Sequence, residues 1–560
     1  MTQPTPAIVT QSAVRRLPRL ALLLFCVAYV LPGFVGREPW KTQDMSALGY
    51  MAEMASGHSS WLAPMLVGHP PEFDALLPYW LGAWAMQLAP AWFPADLAAR
   101  IPFVALLVLT MASTWYAVYS LARSPRAQPV AFAFGGEAQP TDYARAIADG
   151  GLLALIACLG LAQLSHETTP ALAQLGFTAL AFYGCAAGTE RRGLAAVAVA
   201  GGLLGLSLSG APAMAALFAL GGAVAALLDA GEEEPHRRAW TRSLFVLAAA
   251  VVAAAVAWHF HAWHWRLDQS PGAGRDWRSL GKLFVWFTWP AWPLALWTVW
   301  RWRHRLASRH VALPLWFALV SAATTLLTPA SDRSLLLGLP ALATLAAFAL
   351  PTFKRSASAL IDWFTLLFFS GCAVVIWVVW ISLQTGVPAK PAANVAKLAP
   401  GFTPTFSLLA FATALAATIA WAWLVHWRVG RNREAIWKSL VLPAGGAALC
   451  WLLAMTLWLP VLDYARSYTP VVRSVQSVVG SGTCVEVFGL NRGQLAALRY
   501  HGRMDLQQAT TTARCPWLLV AQDVQPALPL ALKAAQWQHA ATIRRPADAK
   551  DNIHVYRLNR

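Results

Sequence analysis

The chain has 560 residues, of which 58% are hydrophobic and 12% are charged. A soluble domain carries about 25% charged residues, so this chain has too few to cover a water-exposed surface of its size. Composition therefore excludes a soluble enzyme, a secreted disulfide scaffold and a disordered chain. The net charge of +17 fits either nucleic-acid binding or the basic cytoplasmic loops of a membrane protein.

The first apolar segment, residues 17–34, follows a short basic stretch that contains Arg15 and Arg16. This pattern is shared by cleaved signal peptides and by first transmembrane helices. Residues 36–40 are bulky and charged rather than small, so no convincing cleavage site follows. The sequence favours an uncleaved first helix whose N-terminus lies in the cytoplasm.

Twelve further apolar segments have the length of a membrane span, which needs about 17–25 residues. They lie near residues 98–122, 148–165, 171–188, 193–209, 212–229, 242–261, 283–300, 311–328, 334–352, 361–381, 406–426 and 438–459. If the spans alternate in direction, every predicted cytoplasmic loop holds a basic cluster, as the positive-inside rule requires. These clusters are Arg123 and Arg126; Arg191 and Arg192; Arg237, Arg238 and Arg242; Arg301, Arg303 and Arg305; Lys354 and Arg355; and Arg428, Arg431 and Arg433. We therefore expect an all-α polytopic membrane protein with about 13 transmembrane helices, the N-terminus inside and the C-terminus outside, and no nucleic-acid partner.

Two regions outside these spans are predicted to lie on the outer face. Residues 37–97 form the first outer loop, within which the apolar segment 75–90 is short for a span and suits an interfacial or re-entrant helix. The second region divides the chain into a transmembrane domain, 1–459, and a periplasmic domain, 460–560. In the latter, strand patterns start at Cys484, Pro516 and Ile553 and a helical pattern covers 493–500, which predicts a small α/β unit.

Five of the seven cysteines fall inside predicted spans, where they are expected to be small core residues. Cys484 and Cys515 both lie in the C-terminal domain. In an oxidising compartment they can form a disulfide. Two separate buried thiols fit the sequence equally well.

The motifs of several membrane-protein classes are missing from the sequence. It contains no P-loop, no GxGxxG after a strand and no HExxH, which argues against primary pumps and membrane zinc proteases. Secondary transporters place ionisable residues within their spans, but here the spans are nearly free of them and polar residues gather at the outer ends. This distribution favours a site at the outer membrane surface.

The first outer loop carries a recognisable order of motifs. Gln43-Asp44 begins it, Ser56-Gly57 is followed by Trp61 and Pro64, and a segment ending in Tyr79-Trp80-Leu81 closes it. The loop resembles that of the GT-C membrane glycosyltransferases of the aminoarabinose transferase and protein-mannosyltransferase-like branch. That branch reads Asp-Glu-x-x-Tyr, then Ser-Gly-x-Trp-x-x-Pro, then Lys-Pro-Pro-Leu-Tyr-Tyr-Trp-Leu. Similar segments follow in family order at 96–102, 206–212, 287–297 and 337–342, so the resemblance covers about residues 17–350.

The resemblance implies an enzyme that transfers a sugar, with inversion, from a polyprenyl-phosphate donor at the outer face of a bacterial inner membrane. The acceptor is expected to be lipid A, another glycolipid, a polysaccharide or a protein, and membrane lipids surround the enzyme. Such a transfer needs a carboxylate to activate the acceptor or stabilise the developing positive charge. It also needs cations for the phosphate leaving group. No cofactor and no metal are expected.

Asp44 is the first catalytic candidate because its spacing to Ser56-Gly57 matches the second member of the family's acidic pair. Gln43 replaces the first member, and a helix-capping role for Asp44 is the alternative. Five residues of the same loop are candidate substrate contacts: Lys41, Tyr50, His69, Asp74 and Tyr79. Asp74 stands where the family has Lys, Pro70-Pro71 is displaced upstream behind His69, and Ala211 replaces the Lys of the family's Lys-Gly-Pro.

Glu167 is the second catalytic candidate, with His166 as an acceptor or phosphate contact, because the family has an acidic residue near the following proline. An ordinary polar turn with Thr168 or Thr169 capping the next helix is the alternative. Arg275, Arg278 and Lys282 are the predicted replacements for the missing family lysines, unless they bind lipid headgroups. Asp332 and Arg333 are weaker candidates.

Two further alternatives depend on the sequence alone. His259, His261 and His264 are spaced so that they scatter around a helix, which indicates an aromatic-belt helix end rather than a metal site. The alternative function is a lipid-linked-glycan transporter or an inactive relative of the enzymes. Convergence of Asp44 and Glu167 on one cavity that opens to lipid and the outer face would favour the enzyme. A large distance between them, or polar groups through the whole bilayer, would favour the transporter.

Overall fold

A computed structural model of the chain describes residues 5–188, 191–228, 230, 235–263, 277–328, 333–353, 355–429, 435–528, 536–545, 547–548 and 551–559. The first half of these residues forms the following helices: α1 (Arg19–Val30), α2 (Gln43–Ala55), α3 (Leu77–Leu88), α4 (Ala95–Ala122), α5 (Pro140–Ala157), α6 (Leu161–Leu164), α7 (Pro170–Ala187), α8 (Arg192–Leu208), α9 (Pro212–Leu228) and α10 (His236–His259). The second half continues the bundle with α11 (Trp277–Phe287), α12 (Ala291–Arg301), α13 (Arg309–Leu327), α14 (Leu339–Ala349), α15 (Arg355–Thr385), α16 (Ala389–Leu398), α17 (Leu408–Val429) and α18 (Val441–Ala454).

Within the described residues, eight helical segments are long and apolar enough to cross a membrane. They are Ala95–Ala122, Pro170–Ala187, His236–His259, Arg309–Leu327, Ser334–Thr352, Ser356–Thr385, Leu408–Arg428 and Ile436–Ala454. Three shorter apolar helices accompany them, α1, α8 and α9. The chain is thus a multi-pass membrane protein, while the count of 13 spans and their orientation stay predictions.

Two predicted spans have different boundaries in the structure. The single span expected at 283–300 is wrong, because α11 ends at Phe287 and α12 begins at Ala291. Pro290 explains the break, since a proline disfavours helical backbone in the residue before it. At the span expected at 148–165, the structure has the helix α5, which begins earlier, at Pro140, and ends earlier, at Ala157.

The segment predicted as an interfacial or re-entrant helix forms α3, which has 12 residues. At 1.5 Å per residue it is about 18 Å long and too short to cross a bilayer. It packs between α2 and α4, and Gly82 faces Met51 so closely that an added Cβ would lie 2.2 Å from its sulfur. The first loop is therefore a helical layer attached to the end of the bundle.

The C-terminal part of the chain begins with α19 (Leu459–Arg466) and α20 (Thr469–Val479), followed by β1 (Cys484–Phe488), α21 (Arg492–Tyr500), β2 (Asp505–Gln508), β3 (Trp517–Ala521), β4 (Trp537–Ile543) and β5 (Ile553–Leu558). The sheet order is β2-β1-β3-β5-β4. β1 is parallel to β2 and β3, whereas β5 is antiparallel to β3 and β4. The predicted strands and helix are present, and β2 and β4 are additions that the sequence pattern did not indicate.

The question left open for Cys484 and Cys515 has a structural answer. The two residues form a disulfide, with their Cα atoms 5.2 Å apart. It joins the start of β1 to the segment just before β3, neighbouring strands of the sheet.

Candidate active site

The candidate site lies where the first loop meets the segment between α6 and α7. α2 begins at Gln43 with Asp44 in its first turn, a place where the helix dipole favours a negative charge. Residues 165–169, between α6 and α7, are all buried. The two sequence-predicted acids, Asp44 and Glu167, lie in segments that contact each other here, because Asp44 is bonded to Thr168, the residue after Glu167.

Four donors surround the Asp44 carboxylate, which is 2% exposed. Thr168 donates from its backbone N–H and its hydroxyl to Oδ1, at 2.8 and 2.7 Å. The Trp40 N–H donates to Oδ2 at 3.1 Å, and Nη2 of Arg37 lies 2.9 Å from the same oxygen. These bonds lead out of α2, so Asp44 is a junction between segments and not the cap of its own helix.

The charges around Asp44 determine its protonation. Burial alone would raise the pKa of this carboxyl, but the guanidinium groups of Arg37 and Arg100 and the bonds from Thr168 outweigh burial and hold the pKa below its ordinary value. Arg37 is itself fixed by bonds to the carbonyl oxygens of Gly33 and His166, at 2.8 and 2.7 Å. Asp44 is therefore ionised and rigidly positioned.

Glu167 has a cation and an amide as its partners. Arg333 forms an ion pair with Oε2, and Nε2 of Gln163 donates to Oε1 at 3.0 Å. The amide oxygen of Gln163 accepts from Arg466 at 2.7 Å. Arg333, a weaker candidate in the sequence, and Arg466, which sequence reasoning missed, thus enter the site as cations.

Trp40 connects the first loop to the start of the C-terminal part. The guanidinium carbons of Arg37 and Arg466 lie 4.8 and 5.0 Å from the centre of its ring, within cation–π range. Its indole N–H donates to Oδ1 of Asp463 at 2.7 Å. Burial raises the pKa of Asp463 to about 6, although the Trp40 bond lowers it.

The structure gives His166 a different role from the predicted contact with acceptor or phosphate. Its ring is fully buried, with Nε2 2.9 Å from the carbonyl oxygen of Tyr29 and Nδ1 in contact with the carbonyl oxygen of Ala162. Burial lowers the pKa of this imidazole to about 4, so the ring is neutral at neutral pH. The His166 side chain links α1 to α6 and does not face a substrate space.

The other predicted contacts of the first loop lie in its packing or at the C-terminal domain. Tyr50 and Tyr79 are buried with their rings 5.6 Å apart, and the Tyr50 hydroxyl donates to the carbonyl oxygen of Pro70 at 2.8 Å. Lys41 forms an ion pair with Asp548. Nε2 of His69 lies 2.8 Å from Nε2 of Gln508. The structure places none of these four side chains against Asp44.

Asp74 lies at the meeting point of two family-like segments. The Leu76 N–H donates to the carbonyl oxygen of Leu208 at 2.9 Å. Gly210, at a φ of +86°, faces the Asp74 carbonyl oxygen, which an added Cβ would approach to 3.4 Å. The segment that resembles the family's Lys-Gly-Pro therefore contacts the one in which Asp74 replaces Lys.

The cations predicted from the loop before the eighth span are only partly described by the structure. Arg275 and His264 lie outside the described residues, as does Asp332. Arg278 and Lys282 lie in the first half of α11, and Lys282 is exposed. The C-terminal end of α11 contacts the residue before α6, where the Gly160 N–H donates to the carbonyl oxygen of Phe287 at 2.9 Å. Among the described residues, no group of three His, Cys, Asp or Glu side chains is placed to hold a metal.

The fold is similar to that of a solved membrane glycosyltransferase of the branch that the resemblance named. Two solved structures of ArnT, an aminoarabinose transferase from Cupriavidus metallidurans, are similar over almost the whole chain. The one bound to undecaprenyl phosphate has a TM-score of 0.60 at 13% identity, over 96% of this chain and 97% of that one. The apo form has a TM-score of 0.56 at 14% identity, over 96% of each chain. No family model and no curated protein matches the sequence.

Proposed function

We propose that this chain is a GT-C glycosyltransferase that moves a sugar from a polyprenyl-phosphate donor to an acceptor at the outer face of a bacterial inner membrane. The observation that carries the proposal is the network of carboxylates and guanidinium groups that runs from Glu167 through Gln163, Arg466, Trp40 and Arg37 to Asp44. Its support is the ArnT fold, since one of those ArnT structures holds undecaprenyl phosphate. The acceptor is lipid A, another glycolipid, a polysaccharide or a protein.

The cluster contains the groups that such a transfer requires. Transfer with inversion proceeds through positive charge at the anomeric carbon while negative charge grows on the leaving phosphate. The ionised Asp44 and the adjacent Glu167 supply the negative field. Arg333 is 19% exposed and Arg466 is exposed, so both can meet a phosphate, whereas Arg37 is committed to Asp44.

Asp463 is our candidate for the group that takes the acceptor's proton. All four acceptor positions of Asp44 are occupied by donors of the chain, so Asp44 is a poor base in this arrangement. A catalytic base works best with a pKa near the operating pH, and the pKa of Asp463 is raised to about 6. Among the other sequence-predicted contacts, Lys41 and His69, at the edge of the C-terminal domain, and Asp74, beside Gly210, remain proposed acceptor contacts.

The test of this proposal is a deletion strain combined with a transfer assay. Mass spectrometry of the glycolipids and polysaccharides of the strain should show the loss of one sugar, which identifies donor and acceptor. In the assay with that donor and the purified full chain, D44N should lower turnover by about 100-fold or more, the size expected when a preorganised charge is removed from a reaction centre.

Folding must be checked, because D44N leaves Arg37 buried without its counter-charge, at a cost of about 3–5 kcal/mol. R333Q is the second variant; it removes a partly exposed guanidinium and should lower turnover, but it leaves the buried Glu167 without its counter-charge, so its folding is checked in the same way. D142N is the matched control, because Asp142 pairs with Arg16 and lies in the first turn of α5. Wild-type turnover by folded D44N and R333Q would contradict the assignment of the site.

A further inference from the structure

A cavity of about 290 Å³ lies between α7, α8, α9 and α10, at the far end of the bundle from the candidate active site. Thr169 precedes α7 at the active-site end, and Gly184, Cys185 and Gly188 line the cavity at the other end. The 18 residues of α7 separate the two places by about 27 Å, at 1.5 Å per residue. A ligand in this cavity therefore cannot contact Asp44 or Glu167.

Three guanidinium groups line the cavity, those of Arg192, Arg238 and Arg242, and its described lining holds no carboxylate. Nη2 of Arg242 donates to the carbonyl oxygen of Ala226 at 3.0 Å, which fixes this side chain against α9. Arg192 and Arg238 are exposed. In the part of the chain that the structure describes, neither of their side chains has a hydrogen bond or an ion pair. The acidic residues of the neighbouring loops, at 190, 229 and 232–234, lie outside the described residues.

Apart from Thr241, the rest of the lining is apolar, and exposed apolar side chains of α10 adjoin it. Val199, Phe245 and Val246 form part of the wall, and Phe245 is 41% exposed. Trp240, at 56% exposure, lies five residues before Phe245 in α10. A tryptophan next to arginines near a helix end is typical of the level of the lipid headgroups.

We propose that this cavity binds the phosphodiester headgroup of an anionic phospholipid, whose acyl chain runs along the apolar side of α10. Basic pockets between transmembrane helices bind such headgroups, and the combination of the exposed Arg192 and Arg238 guanidinium groups with an apolar exit fits one polar and one apolar part of the same molecule. The site is independent of the transferase function. It would be occupied in an active and in an inactive chain.

The experiment measures lipid retention and thermal stability of the purified full chain. Native mass spectrometry of the detergent-solubilised wild type should show retained phosphatidylglycerol, and addition of phosphatidylglycerol should raise its Tm, because a ligand that binds only the folded state stabilises it. Phosphatidylcholine and inorganic phosphate should not raise it. In R192Q/R238Q the affinity for phosphatidylglycerol should fall about fivefold per arginine removed.

The matched control is R301Q/R303Q, which removes two exposed arginines from another predicted cytoplasmic loop and should retain phosphatidylglycerol like the wild type. Equal retention by R192Q/R238Q and the wild type would overturn the proposal. A Tm increase with inorganic phosphate alone would show that the cavity binds a simple anion, and it would overturn the proposal of a lipid ligand. Preferential retention of undecaprenyl phosphate would likewise overturn it, because the occupant would then be a form of the donor's carrier.

Discussion

Asp44 and Asp463 are carboxylates of one cluster whose pKa values are shifted in opposite directions. Burial acts on both, but Asp44 has two arginines and the Thr168 bonds in its favour, and its pKa falls. Among the described residues, the donors to Asp463 are the indole N–H of Trp40 and the Glu38 N–H. Burial raises its pKa, the Glu38 charge raises it further, and burial prevails. The same chain thus keeps the pKa of one acid below its ordinary value and raises the pKa of another towards neutral pH. Acid–base sites use such a division of roles.

The raised pKa of Asp463 predicts a pH dependence of stability. Because the folded carboxyl has a pKa of about 6 against an ordinary 3.8, the folded state keeps a proton between pH 4 and 6 that the unfolded chain has released. The contribution of Asp463 to the free energy of unfolding is therefore full below pH 4 and is lost as the pH rises through 6. The loss is at most about 3 kcal/mol. The Tm of D463N should therefore fall less between pH 4.5 and pH 7 than the Tm of the wild type.

D142N is again the control, and it should keep the wild-type change over this pH range, because the partners of Asp142 among the described residues are Gln11 and Arg16, outside the Asp463 cluster. The same pH dependence in D463N as in the wild type would contradict the raised pKa. If Asp463 is also the base, D463N should lose turnover at every pH in the transfer assay.

At the scale of elements, the first loop and the C-terminal domain meet through α2 and α21. Gly49 of α2 faces Ala496 of α21 so closely that an added Cβ would lie 2.5 Å from the alanine Cβ and 3.2 Å from its Cα. The contact is reinforced by an ion pair of 3.0 Å between Glu53 and Arg499. Because backbone lies behind the alanine, neither helix can yield by rotating a side chain, and Gly49 fixes their distance.

G49A should therefore destabilise the contact between α2 and α21. Overpacking costs about 1–3 kcal/mol, of which the better helix propensity of alanine returns up to about 1 kcal/mol. We expect a lower Tm and faster proteolysis between α20 and β5. G281A is the matched control, since nothing lies within 4 Å of a Cβ at this helical glycine, and it should be neutral or stabilising. A G49A chain as stable as G281A would contradict the close contact.

The elements also show how far sequence patterns reach. The segment 283–300 is apolar along its length, so it was predicted as one span. Pro290 marks the break between its two helices, but the apolar composition on both sides gave no sign of an end. β2 and β4 were missed because their burial patterns, exposed at several positions, lack the apolar runs that identified β1, β3 and β5. Strand pairing with a neighbour stabilises such segments, and pairing cannot be seen in a local window.

For the whole molecule, the packing ties residues from distant parts of the chain into one body. Lys41 pairs with Asp548, and Nε of Arg492 donates to the carbonyl oxygen of Pro70 at 2.8 Å. The C-terminal sheet therefore lies on the same side of the bundle as the first loop and the candidate active site. The cavity lined by Arg192, Arg238 and Arg242 lies at the other end of the bundle.

The predicted orientation places these two ends on opposite sides of the membrane, and cysteine labelling tests it. Ser474 on α20 and Arg303 after α12 are both exposed. A membrane-impermeant maleimide should label S474C in intact cells after the outer membrane is opened, but R303C only after the inner membrane is lysed. The parent chain, whose own cysteines give the background, is the control. Labelling of R303C in intact cells would reverse the orientation.

The sequence by itself determined the membrane class, most of the helices, the strands β1, β3 and β5, and the two acids of the candidate site. Those features depend on local composition, periodicity and spacing, which are properties of neighbouring residues. Only the tertiary structure decided which groups surround the acids: Thr168 reaches Asp44 across 124 positions of the chain, and Arg333 reaches Glu167 across 166. The tertiary structure also shows that His166, predicted as an acceptor or phosphate contact, is a packing residue. Burial and hydrogen bonding depend on which segments the fold brings into contact.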